Sequence, residues 1–192
     1  YKLIKEEKMV PDILIPLIVV GLAELGDKTQ LSTLLLASKT EKHLHLFLGV
    51  ILAFLIVDGI AILAGERITH IVPGDLIKIL SGVVFIILGL LTLIFRTKME
   101  ETKSNYYFEN PFYSGFILIF VSEWGDKTQI AAGLFATRYS GLMVLTGVII
   151  ALSLLSIIAI YSGKFISDKV NRETLAKIAG ISFILLGIAF FF

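Results

Sequence analysis

The sequence predicts an all-α integral membrane protein with six transmembrane helices, arranged as two inverted three-helix repeats. First, the 192-residue chain is 56% hydrophobic and its mean hydropathy is +0.90, whereas soluble domains are only ~45–50% apolar. Second, a seven-residue motif occurs once in each half of the chain. Third, six apolar runs approach the ~20 residues that a helix needs to cross a bilayer, and they span roughly 12–37, 46–65, 76–95, 112–136, 142–163 and 174–192.

The composition excludes several classes of protein. The chain has 17 Lys and Arg against 16 Asp and Glu, so it lacks the basic excess that is typical of nucleic-acid-binding proteins. Its high hydrophobicity excludes an intrinsically disordered chain. The absence of cysteine excludes disulfides, thiolate metal sites and cysteine nucleophiles. The composition therefore favours a function within a membrane.

The apolar runs are predicted to be helices rather than strands of a barrel. Only helices and closed barrels satisfy every backbone polar group in lipid, and barrel strands alternate polar and apolar side chains, which residues 112–121 do not. The first run is too long for a signal peptide and has no small-residue cleavage site. Since the chain begins with Tyr1, Met9 is a candidate native start. Pro73-Gly74 predicts a turn between the second and third runs.

The longest polar stretch divides the chain into two parts. It predicts a first three-helix repeat at residues 11–95, a cytoplasmic linker at 96–110 and a second three-helix repeat at 111–192. The odd-numbered loops, together with Lys177 at the start of the next helix, carry nine Lys and Arg residues, and the opposite side carries six. Because basic residues concentrate in cytoplasmic loops, we expect the odd-numbered loops in the cytoplasm and both termini outside.

The internal repeat predicts the geometry of the protein. Glu24–Gln30 recurs as Glu123–Gln129, with six of seven positions identical and an offset of 99 residues. Because each copy has three helices, an odd number, the second copy must enter the membrane from the opposite side to the first. The halves are then related by a pseudo-two-fold axis in the membrane plane, as in many secondary transporters. This axis would bring the two motifs together near the midplane, where such proteins bind their substrates.

The motif residues have the chemistry of a divalent-cation site. Glu24 and Asp27 are three residues apart, so they would share one face of a continuous helix. Ionisable residues inside membrane spans are costly and are functional candidates, and oxygen ligands suit Ca²⁺, Mn²⁺ or Mg²⁺. Gly26 and Gly125 either allow close helix approach or let the backbone open. The predicted metal site comprises the acids, threonines and glutamines of both motifs: Glu24, Asp27, Glu123, Asp126, Thr29, Thr128, Gln30 and Gln129.

The charges of the two motifs favour exchange of a cation for protons. The four motif carboxylates carry a charge of −4, and Lys28 and Lys127 contribute +2 if they point inward. One divalent cation then neutralises the net charge of −2. When the cation leaves, crowding and burial favour protonated carboxylates, and those protons belong to the coupled cluster. The lysines either balance this charge, or snorkel or form a structural pair with a nearby acid. Asp58, whose repeat counterpart is Ser156, is either a proton-relay acid or faces a water-filled vestibule.

The doubled Glu-x-Gly-Asp-Lys-Thr motif, at Glu24–Thr29 and Glu123–Thr128, resembles that of the Golgi-type calcium/manganese:proton antiporter family. The bacterial members of this family include manganese exporters. The resemblance covers residues 11–192 and implies export of Mn²⁺ or Ca²⁺ in exchange for H⁺, in a prokaryotic plasma membrane and without a permanently bound cofactor. It also implies that the four motif acids bind the cation, with Thr29 and Thr128 assisting.

Three other functions remain open at this stage. A divalent-cation channel would use the same acids but would need no counter-proton. A structural or assembly protein of the membrane would tolerate Glu24→Gln and Glu123→Gln. An intramembrane hydrolase is disfavoured, because the sequence has no obvious nucleophile–histidine arrangement. We therefore expect a transporter and not an enzyme.

Overall fold

The computed structural model describes residues 2–94, 109–167 and 172–191. These residues form eight helices and no strand, which confirms the all-α class. The helices are α1 (Lys2–Glu24), α2 (Lys28–Ala37), α3 (His43–Ile68), α4 (Gly74–Ile94), α5 (Pro111–Ser122), α6 (Lys127–Phe135), α7 (Gly141–Ser167) and α8 (Arg172–Phe190).

Three of the described helices are long and apolar enough to cross a membrane, namely His43–Ile68, Gly74–Ile94 and Gly141–Tyr161. Pro111–Ser122 and Lys177–Phe190 are shorter apolar helices. Large apolar side chains face outward from these helices, as Leu63 and Leu185 do with 62% of each exposed. Since an outward-facing apolar surface is unfavourable in water, the chain is a membrane protein.

The first and fourth apolar runs are not single helices, so the prediction of one continuous helix for each is wrong. The first run is divided into α1 and α2, and the fourth into α5 and α6. Both interruptions fall inside the repeated motif, between Glu24 and Lys28 and between Ser122 and Lys127. The cause is a change of backbone direction at one glycine in each motif, described below.

The two halves of the chain form one packed helical body and not two separate units. The main helix pairs are α4 with α8, α3 with α5 and α1 with α7, and each pair takes one helix from each half. The secondary pairs α3 with α7, α3 with α6 and α2 with α7 follow the same rule. Exchanging the first half for the second converts each of these pairs either into itself, as for α4 with α8, or into another pair of the same set. The principal packing is therefore two-fold in character.

Glycines allow the closest of these approaches. A Cβ at Gly49 in α3 would lie 2.1 Å from the carbonyl oxygen of Phe112 in α5, and one at Gly147 in α7 would lie 2.3 Å from that of Ile13 in α1. These two contacts are related by the repeat. Small residues permit such backbone contact between membrane helices. Gly82, Gly89 and Gly187 make the corresponding close contacts between α4 and α8.

Candidate metal centre

Both motifs interrupt their helix in the same way. Gly26 has a φ of 79° and Gly125 a φ of 81°, and no other described residue has a positive φ. This left-handed conformation costs L-residues ~1–2 kcal/mol but is freely accessible to glycine. It turns the chain out of the first helix and allows a second helix to begin two residues later. The glycines therefore open the backbone, which was one of the two roles that the sequence suggested.

The motif glutamines hold each interruption in place. Gln30 Oε1 accepts the Gly26 N–H and Gln129 Oε1 accepts the Gly125 N–H, both at 2.6 Å. Their amide nitrogens donate across the structure, from Gln30 to the Leu155 carbonyl at 3.3 Å and from Gln129 to that of Val57 at 3.1 Å. Sequence reasoning missed this role, although the Gly-x-x-x-Gln spacing in both motifs carries the signal. Metal ligation by these glutamines stays a prediction.

The expectation that Glu24 and Asp27 share one face of a helix is wrong, because α1 ends at Glu24. The two residues are instead joined by a tight turn in which the Asp27 N–H donates to the Glu24 carbonyl at 3.1 Å. The second motif repeats this turn between Asp126 and Glu123, also at 3.1 Å. The turn keeps the two acids of each motif together at the break, where one helix ends and the next begins.

Three acids from the two motifs meet in one cluster. Glu24, Asp27 and Asp126 each offer a carboxylate oxygen, and the three oxygens lie within 4.8 Å of one another. Glu24 is buried, with 4% of the residue exposed, whereas 12% of the Asp27 side chain and 25% of the Asp126 side chain are exposed. Asp126 is at the N-cap of α6, yet its side chain makes no capping hydrogen bond. Its carboxylate therefore contributes an oxygen to the cluster and does not cap the helix.

Glu24 is the acid of the cluster with a buried carboxylate oxygen that lacks a hydrogen bond among the described residues. Its Oε1 is fully buried and accepts no hydrogen bond of acceptable geometry within the described part of the chain. Buried polar atoms without such partners are rare and call for an explanation by function or by an ion. Lys127 Nζ is 3.3 Å away, which supplies charge attraction without a well-formed hydrogen bond.

Lys127 reaches from the second motif into the acids of the first. Its Nζ lies 2.5 Å from Asp27 Oδ2, 3.3 Å from Glu24 Oε1 and 3.6 Å from Asp126 Oδ2. Of the roles that the sequence left open for this lysine, the structure shows an ion pair with the site acids. Lys28, its repeat counterpart, begins α2, but its side chain lies outside the described residues.

Glu123 and Asp58 lie near the cluster without belonging to it. Glu123 is buried, with 4% exposed, and its charge interacts with those of Glu24, Asp27 and Asp126. Asp58 in α3 is equally buried, with 4% exposed, and its charge interacts with those of Glu24 and Asp126. The cluster therefore lies beside two further buried acids whose charges act on its own acids, and the choice between relay and vestibule for Asp58 stays open.

The motif threonines are both buried, with 4% of each exposed. The Thr128 hydroxyl donates to Asp126 Oδ2 at 3.4 Å, so it orients one acid of the cluster. Thr29 lines a small cavity beside Glu24, together with Gln30 and Thr33 of α2 and Ser156 of α7. The cavity volume is about 20 Å³, which exceeds the ~10–15 Å³ needed for one water. Thr33 and Ser156 were not predicted as site residues.

The spacing of the cluster suits one hard cation. Metal–oxygen distances of ~2.0–2.6 Å place oxygens on opposite sides of a Mg²⁺ or Ca²⁺ ion about 4–5 Å apart. Oxygens that lie at most 4.8 Å apart can therefore share a single ion without a large movement of the backbone. The helix α6 begins beside the cluster, and its N-terminal dipole is favourable for the Asp126 carboxylate.

Comparison with known proteins identifies relatives over most of the chain. The model of the divalent cation/proton antiporter GDT1 family matches residues 12–100 and 111–192. A Vibrio cholerae protein described as a "putative manganese exporter" is 31% identical over 173 residues, which cover 88% of this chain and 85% of that protein. A GDT1-like protein of Synechocystis is 26% identical over 90% of this chain and 92% of its own length. A GDT1-like protein of Schizosaccharomyces pombe is also 26% identical, over 88% of this chain and 78% of its own. No solved structure matches.

Proposed function

Because the chain belongs to the GDT1 divalent cation/proton antiporter family, we propose that it exports Mn²⁺ or Ca²⁺ in exchange for protons at the cluster of Glu24, Asp27 and Asp126. The observation that carries this proposal is that the cluster combines acids of both motifs, with oxygens within 4.8 Å of one another. An ion bound there contacts both halves of the protein. Movement of one half against the other then changes the side from which the ion is reached.

The proposed architecture is two inverted three-helix repeats, residues 11–95 and 111–192, that work by alternating access. The two-fold character of the helix packing and the identical interruptions at Gly26 and Gly125 support it. Interrupted helices that meet at a central site are the arrangement of many secondary transporters. In this proposal the motif-bearing runs each cross the membrane as a broken span. The odd-numbered loops face the cytoplasm of a prokaryotic cell, and the linker at 96–110 falls almost wholly outside the described residues.

The proposed exchange follows from the charge of the site. Glu24, Asp27 and Asp126 carry three negative charges, and Lys127 returns one, which leaves a net charge of −2. A divalent cation or two protons neutralise this remainder equally well. A charged and empty site is costly to move through a low-dielectric interior, so the two neutral loads cross and the empty site does not. The protons are shared by the coupled acids, including Glu123.

The oxygen-only donor set favours Mn²⁺ and Ca²⁺ over softer metals. The name of the Vibrio cholerae relative supports Mn²⁺ as the first ion to test. The ion is a substrate, and we propose neither a permanently bound cofactor nor an enzymatic reaction. The motif threonines are proposed to assist, Thr128 by orienting Asp126 through its hydroxyl.

The experiment uses the full chain in proteoliposomes with an imposed pH gradient. Addition of Mn²⁺ or Ca²⁺ should drive proton movement in the wild-type protein. Asp27→Asn and Asp126→Asn, which keep side-chain volume but remove a cluster charge, should abolish it. Asp75→Asn is the matched control, because Asp75 is an exposed acid in the first turn of α4 and should retain full exchange.

Three outcomes would reject the proposal. Proton movement that does not depend on the cation would exclude coupled exchange. A cation current that persists without a counter-proton would indicate a channel. Full exchange by both cluster variants would exclude the cluster as the site. A side-by-side comparison of several ions then establishes which cation the protein prefers.

A further inference from the structure

Lys127 is placed where a transported ion would have to lie. Its Nζ is within 2.5–3.6 Å of one carboxylate oxygen from each of Glu24, Asp27 and Asp126. These are also the three acids whose oxygens approach closely enough to coordinate one ion. The ammonium group thus fills the space among the acids, and a divalent cation brought into the same space would be strongly repelled by it.

The position of Lys127 in its helix gives no other reason for a cation. It is the first residue of α6, and the first turn of this helix contains no acidic residue. A positive charge at a helix N-terminus is unfavourable because of the helix dipole. The acids of the cluster therefore supply the attraction that holds the ammonium group in place.

The lysine is also able to leave. The ammonium group is a compact charge on a flexible four-carbon chain, and 23% of the Lys127 side chain is exposed. The contact with Glu24 lacks a well-formed hydrogen bond, so the short contact to Asp27 is the main one to be broken. Withdrawal of the side chain would free all three carboxylates at once.

We propose that Lys127 acts as a tethered cation, which occupies the binding position in the absence of substrate and must be displaced before a divalent cation binds. This inference rests on the proposed function, since it assumes that the cluster is the transport site. In this proposal Lys127 sets the affinity of the cluster for the divalent cation. The ammonium group offsets one of the three negative charges of the unloaded site, and it lowers the apparent affinity for the cation so that a bound ion can be released.

The first test is direct binding of Mn²⁺ to the purified full chain in detergent, measured by calorimetry. If the lysine occupies the site in 90–99% of molecules, it raises the apparent Kd by about 10- to 100-fold. Lys127→Met removes the ammonium group and should lower the Kd by about that factor. Lys78→Gln, which removes the charge of an exposed lysine in α4, is the control and should leave the Kd unchanged.

A second variant separates displacement from simple charge balance. Lys127→Arg keeps the charge, but the planar guanidinium forms a bidentate pair with carboxylates and is harder to displace. Displacement predicts a Kd at least several-fold above that of the wild type, whereas charge balance alone predicts no change. Thermal unfolding of each variant establishes that it is folded.

A third measurement follows the displaced group itself. Labelling of Lys127 by a small amine-specific reagent, quantified by mass spectrometry, should rise when Mn²⁺ is added, with Lys78 as the internal reference. The proposal is overturned if Lys127→Met does not tighten binding, if Lys127→Arg binds like the wild type, or if Mn²⁺ leaves the labelling of Lys127 unchanged. Failure of the proposed function is distinct from these results, because it appears as the absence of exchange by the wild-type protein.

Discussion

Replacement of Gly49 by alanine tests how closely the two halves must approach. A Cβ at this position would lie 2.1 Å from the carbonyl oxygen of Phe112, and ordinary contact begins at 3.4 Å. Helices α3 and α5 must therefore separate by about 1.3 Å along this line. Because the obstructing atom is backbone, it cannot rotate away as a side chain does. We expect the free energy of unfolding to fall by ~1–3 kcal/mol, the usual cost of overpacking.

The same movement reaches the site. Helix α5 ends at Ser122, directly before the second motif, so a shift of α5 also shifts Asp126 relative to Glu24 and Asp27. Metal coordination tolerates errors of only ~0.2 Å in ligand distance, and a displacement of ~1 Å at a reacting centre can cost about 100-fold in rate. We therefore expect cation-driven proton exchange by Gly49→Ala to fall at least about tenfold.

The assay combines thermal unfolding in detergent with Mn²⁺-driven proton exchange in proteoliposomes. Gly59→Ala is the matched control, because it makes the same change in the same helix and a Cβ there meets nothing within 4 Å. It should be as stable as the wild type, or more stable by up to ~1 kcal/mol from helix propensity. Gly147→Ala, the repeat-related variant, should behave like Gly49→Ala. Wild-type stability and exchange in Gly49→Ala would refute the reasoning.

Four further variants, at three positions, probe the interruptions and the ends of the helices. Gln129→Leu loses the hydrogen bonds to the Gly125 N–H and the Val57 carbonyl. Its free energy of unfolding should fall by ~1–3 kcal/mol because polar groups are left unpaired. Wild-type stability in a denaturation series would show that Gln129 does not hold the interruption in place. Gly125→Ala should lower the free energy of unfolding by ~1–2 kcal/mol, because alanine is strained in the left-handed backbone conformation of Gly125. Gly125→Asn should recover part of this stability in the thermal unfolding assay. Equal stability of the two variants would contradict backbone strain as the cause. Glu66→Gln removes the negative charge beside the Gly141 N–H, which donates to Glu66 Oε1 at 2.9 Å at the start of α7. Loss of the favourable interaction with the helix dipole should lower the free energy of unfolding by ~0.3–1 kcal/mol in low salt and by less in high salt. A decrease that does not depend on salt would argue against a dipole effect.

The sequence predicted the helical class and the meeting of the two motifs for reasons that are physical. Apolar runs of ~20 residues leave helices as the simplest way to satisfy the backbone in lipid. Glu24 and Asp126 lie in such runs, and buried charges require partners. The duplication at an offset of 99 residues indicated which partners they would find. The structure accordingly brings acids of both motifs within 4.8 Å.

The local geometry of the motifs could not be read in the same way. Apolar residues flank Gly26 on both sides within one run of helical length, so the run does not reveal that α1 ends at Glu24. A glycine at this position is compatible with a continuous helix, with close packing and with a break. The deciding contact is the hydrogen bond from the Gly26 N–H to Gln30 Oε1, which is a local side-chain interaction that competes with the helix.

Two nearly identical motifs do not produce two identical environments. Asp58 in α3 and Ser156 in α7 are repeat counterparts and are both buried, yet only the first adds a negative charge near the cluster. Thr33, which lines the cavity beside Glu24, corresponds at the same offset to Ala132. The motifs therefore supply the same donor atoms to surroundings of different polarity, and the cluster draws two acids from the first motif and one from the second. In the proposed exchanger the cation and the protons compete for these carboxylates, and the unequal surroundings make the three carboxylates inequivalent in that competition.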